Sequence, residues 1–127
     1  MDKVYAAAAL YAFADIDDYI DMLDQSVMKK ALASRCDHRP ADIQAYDIVD
    51  IIILKENLIS FRNTVQSILN RFTDEELSYF RYKYFNDKTA RSDYNTRGYF
   101  RMQRALLRTF GCRLYNKGFD EKWFNDN

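Results

Sequence analysis

Four arginines in the C-terminal third of the chain recur at steps of four, three and four residues: Arg97, Arg101, Arg104 and Arg108. An α-helix would place this arginine stripe within about 60° of one face. Like charges so close repel one another unless a negatively charged partner meets them. Guanidiniums clamp phosphates and pair with guanine edges in the DNA major groove. The stripe therefore favours either a nucleic-acid surface or a basic face that packs on acidic protein, and its spacing does not decide between them.

The net charge of zero hides an uneven distribution. Residues 1–76 hold 8 Lys/Arg and 14 Asp/Glu, whereas residues 77–127 hold 11 Lys/Arg and 5 Asp/Glu. A charge split between halves suggests that the basic half meets a polyanion. The acidic half could equally pack on the basic half and shield it until a target arrives.

The residues needed for catalysis or for metal binding are scarce. One His and two Cys exclude the usual four-ligand zinc site. The sequence has no Gly-rich phosphate loop and no nucleophile with a neighbouring base, so we predict no enzymatic activity, no cofactor and no metal. One acidic cluster is interpreted as a solvated helix face, because no second ligand set accompanies it. Its members are Asp17, Asp18, Asp21 and Asp24.

Cys36 and Cys112 are far apart in the sequence and form no paired motif, which predicts free thiols and a cytoplasmic protein. The apolar run over residues 4–14 is short and its helical period continues beyond it, so we expect a helix there and not an export leader. No stretch reaches the ~20 apolar residues that a membrane helix needs.

Three Gly and one Pro in 127 residues are too few for the turns of a sheet protein. Apolar residues recur at helical spacing over residues 4–33 and 42–72, which predicts two long helices in a hairpin. Thr73 and Glu76 form a capping-box pattern ahead of a helix over 77–85. A last helix is predicted over 95–116, with Gly118 at its C′ position. The fold class is therefore all-α.

The centre of the second helix, residues 48–54, is apolar nearly all round apart from Asp50. Such a helix must be covered on more than one side. The first helix can cover one side, and we expect a second copy of the chain to cover another, as in a homodimer.

The order of three segments, FTDEEL (72–77), FRYKYF (80–85) and NTRGYFRMQRAL (95–106), resembles the fourth conserved region of bacterial sigma factors. It is closer to small sigma-like regulators of phages and prophages, of the ArpU and RinA type. The resemblance implies a helix-turn-helix, double-stranded DNA as ligand and RNA polymerase as a partner. It makes Tyr99, Ala105 and Leu106 packing residues of the recognition helix. It assigns DNA contacts to Thr96, Arg97, Arg101, Arg104, Arg108, Arg81, Lys83, Lys88 and Arg91.

The chain departs from this pattern in one respect. Only nine residues, 86–94, separate the second segment from the third, so the first helix of the motif is shortened. Two hypotheses follow: a DNA-binding transcriptional regulator, or a degenerate motif in an all-α module that binds an acidic protein. The expected organisation is an acidic hairpin over 1–72, a basic module over 73–118 and an aromatic tail over 119–127.

Overall fold

The computed structural model describes residues 3–33, 41–85, 97–120 and 122–123. This part of the chain contains four α-helices and no strand, which confirms the all-α class. The helices are α1 (Lys3–Ala33), α2 (Ala41–Leu69), α3 (Asp74–Tyr84) and α4 (Arg97–Asn116).

The apolar stripe predicted for α1 is its packed face. Leu10, Ile16 and Ile20 are buried, together with the small residues Ala6 and Ala9. The chain groups into two compact units, one of Met1–Ala14 with Asn63–Asn127 and one of Asp15–Arg62. The start of α1 therefore belongs to the same unit as α3 and α4.

The end of α2 differs from the prediction. The helix ends at Leu69, three residues before the predicted end at Phe72. The amides of Arg71 and Phe72 donate to the carbonyls of Ile68 and Leu69, both at 3.1 Å. These bonds span three residues and tighten the last turn. Phe72 is thereby buried, with its ring 5.1 Å from that of Phe80.

The predicted capping box of α3 is confirmed. The Glu76 amide donates to Thr73 Oγ1 at 3.3 Å, and the Thr73 amide donates to Glu76 Oε1 at 2.9 Å. Thr73 is extended, as an N-cap requires. The helix begins at Asp74, three residues earlier than predicted, because the acidic turn Asp74–Glu76 is itself helical.

Gly118 ends α4 as predicted. Its φ of +94° lies in the left-handed region that favours glycine. The amide of Gly118 donates to the Tyr115 carbonyl, and the amide of Phe119 donates to the Leu114 carbonyl. This pair of bonds is a Schellman motif, completed by the burial of Phe119 and Leu114. In the tail, the ring of Trp123 packs edge-on against that of Phe119, with 4.8 Å between the ring centroids; Phe124 lies outside the described residues.

None of the helices in the described residues combines the length and the apolar character needed to cross a membrane.

Candidate nucleic-acid interface

Helix α4 separates its apolar residues from its arginines. Leu106, Leu107, Phe110 and Leu114 are buried, and Gln103 is partly buried on the same side. The opposite side carries Arg101, Arg104 and Arg108, and all three are exposed. The arginine stripe is thus on the surface in the part that the structure describes.

The stripe has no acidic counterpart on its own helix, since α4 contains five arginines and no Asp or Glu. Among the described residues, no ion pair neutralises Arg101, Arg104 or Arg108. With respect to the described residues, the charge of these three guanidiniums is therefore uncompensated, and such a surface attracts anions.

Two of the four carboxylates predicted to form a solvated face have other partners. Asp17 accepts a hydrogen bond from Arg62 at 2.8 Å, and Asp24 pairs with Lys55. The acidic stretch of α1 is therefore partly used to join α1 to α2.

An aromatic cluster joins α3 to α4. Phe80 is fully buried, with its ring 6.2 Å from that of Phe110. The ring of Tyr84 stands edge-on to Tyr11 of α1 at 5.0 Å. Aromatic pairs at such separations contribute beyond their buried area. The cluster therefore fixes the helix that carries the stripe.

The pKa values of two tyrosines in this cluster are raised above the ordinary tyrosine value. Burial raises the pKa of Tyr79, and the neighbouring Tyr84 and Tyr11 raise it further. Burial also raises the pKa of Tyr84, with Tyr11 adding to the rise and a side-chain hydrogen bond with Gln103 opposing it. Both hydroxyls therefore stay neutral to a higher pH than an exposed tyrosine does.

The two cations predicted on α3 are exposed but diverge. Arg81 and Lys83 are two residues apart, so they project about 160° from each other around the helix. They flank the buried face of α3, formed by Phe80 and Tyr84, from opposite sides. Arg81 and Lys83 therefore do not lie on one common surface of α3.

Four predicted contacts lie outside what the structure describes: Thr96, Lys88 and Arg91, and the side chain of Arg97. The predicted packing role of Ala105 is wrong, because this residue is exposed. Ala105 lies four positions after Arg101, about 40° away around α4, and hence on the stripe's side. Leu106 is buried, as the resemblance implied.

A second group of cations was not singled out from the sequence. Arg71, Arg113 and Lys117 line a small cleft near the ends of α2 and α4. The Arg113 guanidinium lies over the Phe72 ring at 4.9 Å. Cations are favourable where helix carbonyl ends are exposed, and those carbonyls disfavour an anion. We therefore assign this group to helix stabilisation and not to the interface.

The described residues hold no cluster of His, Cys, Asp and Glu that could bind a metal ion. Cys112 is a free, exposed thiol, and Cys36 lies outside the described residues. Comparisons with known protein families, with curated proteins and with solved structures find no match to this chain.

Proposed function

We propose that the chain is a DNA-binding transcriptional regulator of the sigma-like phage type, with α4 as the helix that enters the major groove. The proposal includes action as a homodimer and RNA polymerase as a partner, both from the sequence. The observation that carries it is the exposed surface of Arg101, Arg104 and Arg108, which form no ion pair with any described residue, on a helix held by a buried aromatic cluster.

The dimensions of this surface suit a duplex. Arg101 and Arg108 are seven residues apart, which is about 10 Å along the helix axis. The major groove is about 12 Å wide and admits one α-helix. Arg101, near the start of α4, is the described residue placed best to reach a base edge.

The test is binding to a short random-sequence duplex at low salt, measured by fluorescence anisotropy. Random-sequence DNA selects no base contact, so we expect all three arginines at phosphates there. Changing Arg101, Arg104 and Arg108 to Gln should then weaken binding on the order of a hundredfold. The matched control changes the exposed residues Lys3, Arg71 and Lys122 to Gln, which removes the same charge from other surfaces.

We expect the control variant to bind within a few-fold of wild type. Equal losses in both variants would mean that net charge alone drives binding, and the assignment of α4 would be wrong. Absence of binding in the wild-type protein would favour the alternative, a module for an acidic protein partner.

A further inference from the structure

The small cleft near the ends of α2 and α4 combines positive charge with neutral hydrogen-bonding groups. Its lining residues are Ser67, Ile68, Arg71, Arg113, Asn116 and Lys117. Three of them are cations, while Ser67 and Asn116 add a hydroxyl and an amide. All six belong to the compact unit of Met1–Ala14 with Asn63–Asn127. We call this group the cationic cleft.

Arg113 is held in place in this cleft without a hydrogen-bond acceptor. It is partly buried, and its guanidinium lies 4.9 Å from the centre of the Phe72 ring. A guanidinium has five N–H donors, and none of those of Arg113 donates to a described residue. Its Nη1 atom is buried. Buried donors in folded proteins normally have an acceptor, so this side chain is suited to a ligand that supplies one.

The cleft also carries more positive charge than the two helix ends use. Arg71, Arg113 and Lys117 form no ion pair with any described residue. The C-terminal ends of α2 and α4 each bring about half a negative charge, so about two of the three positive charges stay uncompensated. These cations therefore stabilise both helix ends and still attract an anion with about two negative charges.

The charge and the size of the cleft together indicate a phosphate group that ends a molecule. The volume of about 130 Å³ is far above the ~10–15 Å³ that one water needs, so a group of several atoms fits. A phosphate monoester carries about −1.5 to −2 charge at pH 7 and three strong acceptor oxygens. A carboxylate, or a phosphodiester of DNA, brings one negative charge and leaves part of the cleft's charge unmatched.

We propose that the cationic cleft binds a terminal phosphate group, either as free phosphate or as the monoester of a small molecule. Arg113 is the fixed donor, and Arg71 and Lys117 supply the remaining charge. Arg113 lies about 120–180° around α4 from Arg101, Arg104 and Arg108, so the two surfaces are separate. Failure of this proposal would therefore leave the proposed DNA interface untouched, and phosphate binding can be measured without DNA.

The first experiment titrates the protein with inorganic phosphate and follows its backbone amide signals by NMR. Phosphate is added up to about 10 mM at constant ionic strength, because salt screens exposed charges. The signals of residues 67–71 and 113–117 should shift and saturate. No saturable shift there, or shifts confined to residues 101–108, would overturn the proposal.

Two further probes distinguish the chemical form of the ligand. Dimethyl phosphate, a diester with one charge, should bind at least tenfold more weakly than inorganic phosphate, and equal binding would overturn the assignment of a terminal phosphate. AMP presents the same group as a monoester. Tighter binding of AMP than of phosphate would identify a small phosphorylated molecule as the source, and equal or weaker binding would identify free phosphate.

The second experiment changes the cleft itself. Arg113→Gln should weaken phosphate binding about tenfold or more, because it removes a charged donor. Ser67→Asp should do the same by placing a carboxylate beside the cations, at an exposed position that leaves the core intact. The matched control is Lys3→Gln, an exposed cation outside the cleft, which should bind within twofold of wild type. With helical circular dichroism unchanged, equal binding by wild type and both cleft variants would overturn the proposal.

Discussion

Phe80 packs α3 against the neighbouring aromatic residues, and replacing it with alanine is the most informative change in the core. It is 0 % exposed, with ring centroids of Phe72 and Phe110 at 5.1 and 6.2 Å. Phe80→Ala leaves a cavity of most of a phenyl ring and costs about 3–5 kcal/mol. The edge-to-face pair with Phe72 contributes about 1 kcal/mol of that loss. Since a domain of this size is stable by about 5–15 kcal/mol, the variant should remain folded but lose much of its stability.

The assay for Phe80→Ala is urea unfolding followed by circular dichroism at 222 nm, a standard helix wavelength. We expect a lower midpoint with an unchanged slope. Tyr82→Ala is the matched control, an aromatic residue of the same helix that is 38 % exposed and should cost less than about 1 kcal/mol. A loss below about 1 kcal/mol for Phe80→Ala would refute the conclusion that this aromatic cluster holds α3 to α4.

Three further predictions concern the ends of helices and the buried tyrosines. Thr73→Ala should cost about 1 kcal/mol in urea unfolding, and combining it with Glu76→Ala should cost less than the sum of the two, because both belong to one capping box. Gly118→Ala should cost about 1 kcal/mol from its φ of +94° alone, since nothing lies within 4 Å of the added carbon, and Gly118→Asn should cost less. The raised pKa of Tyr79 implies that the fold loses stability as pH rises above the ordinary tyrosine value of 10.0. Tyr79→Phe should reduce that loss when urea midpoints at about pH 7 and about pH 11 are compared, and an identical loss in both proteins would contradict it.

Local features were predictable from the sequence because their determinants are adjacent in the chain. The capping box needs only Thr73 and Glu76, and the Schellman motif needs a glycine after an amphipathic helix. The arginine stripe follows from spacing alone, since a period of 3.6 residues fixes one face of a helix. The exposure of Arg101, Arg104 and Arg108 opposite Leu106 and Phe110 agrees with that periodicity.

Contacts between distant residues could not be predicted in this way. The start of α1 packs on α3 through the rings of Tyr11 and Tyr84. The ring centroids of Phe13 and Phe85 are 5.5 Å apart. The periodicity of α1 shows which of its faces is apolar but not which helix covers each part of it. The acidic stretch of α1 is a second example. The sequence shows a carboxylate at Asp17, but only the packing of α1 on α2 brings it to Arg62.

Which cations share a surface was only partly predictable, again because the contacts between distant residues decide it. Arg81 and Lys83 were grouped with the stripe by resemblance, although two residues on a helix project to opposite flanks. Arg113 belongs to the same helix as the stripe and carries the same charge, yet it lies over Phe72. Charge identifies candidate residues, and packing decides which of them share a surface.

The salt dependence of DNA binding tests the central claim most directly. The logarithm of the association constant falls with the logarithm of salt concentration by about 0.9 for each phosphate neutralised. If Arg101, Arg104 and Arg108 each meet a phosphate, changing all three to Gln should make this slope shallower by about 2.7. The control with Lys3, Arg71 and Lys122 changed should keep the wild-type slope. A slope that is the same in wild type and in the α4 variant would contradict the assignment of α4 as the DNA-binding helix.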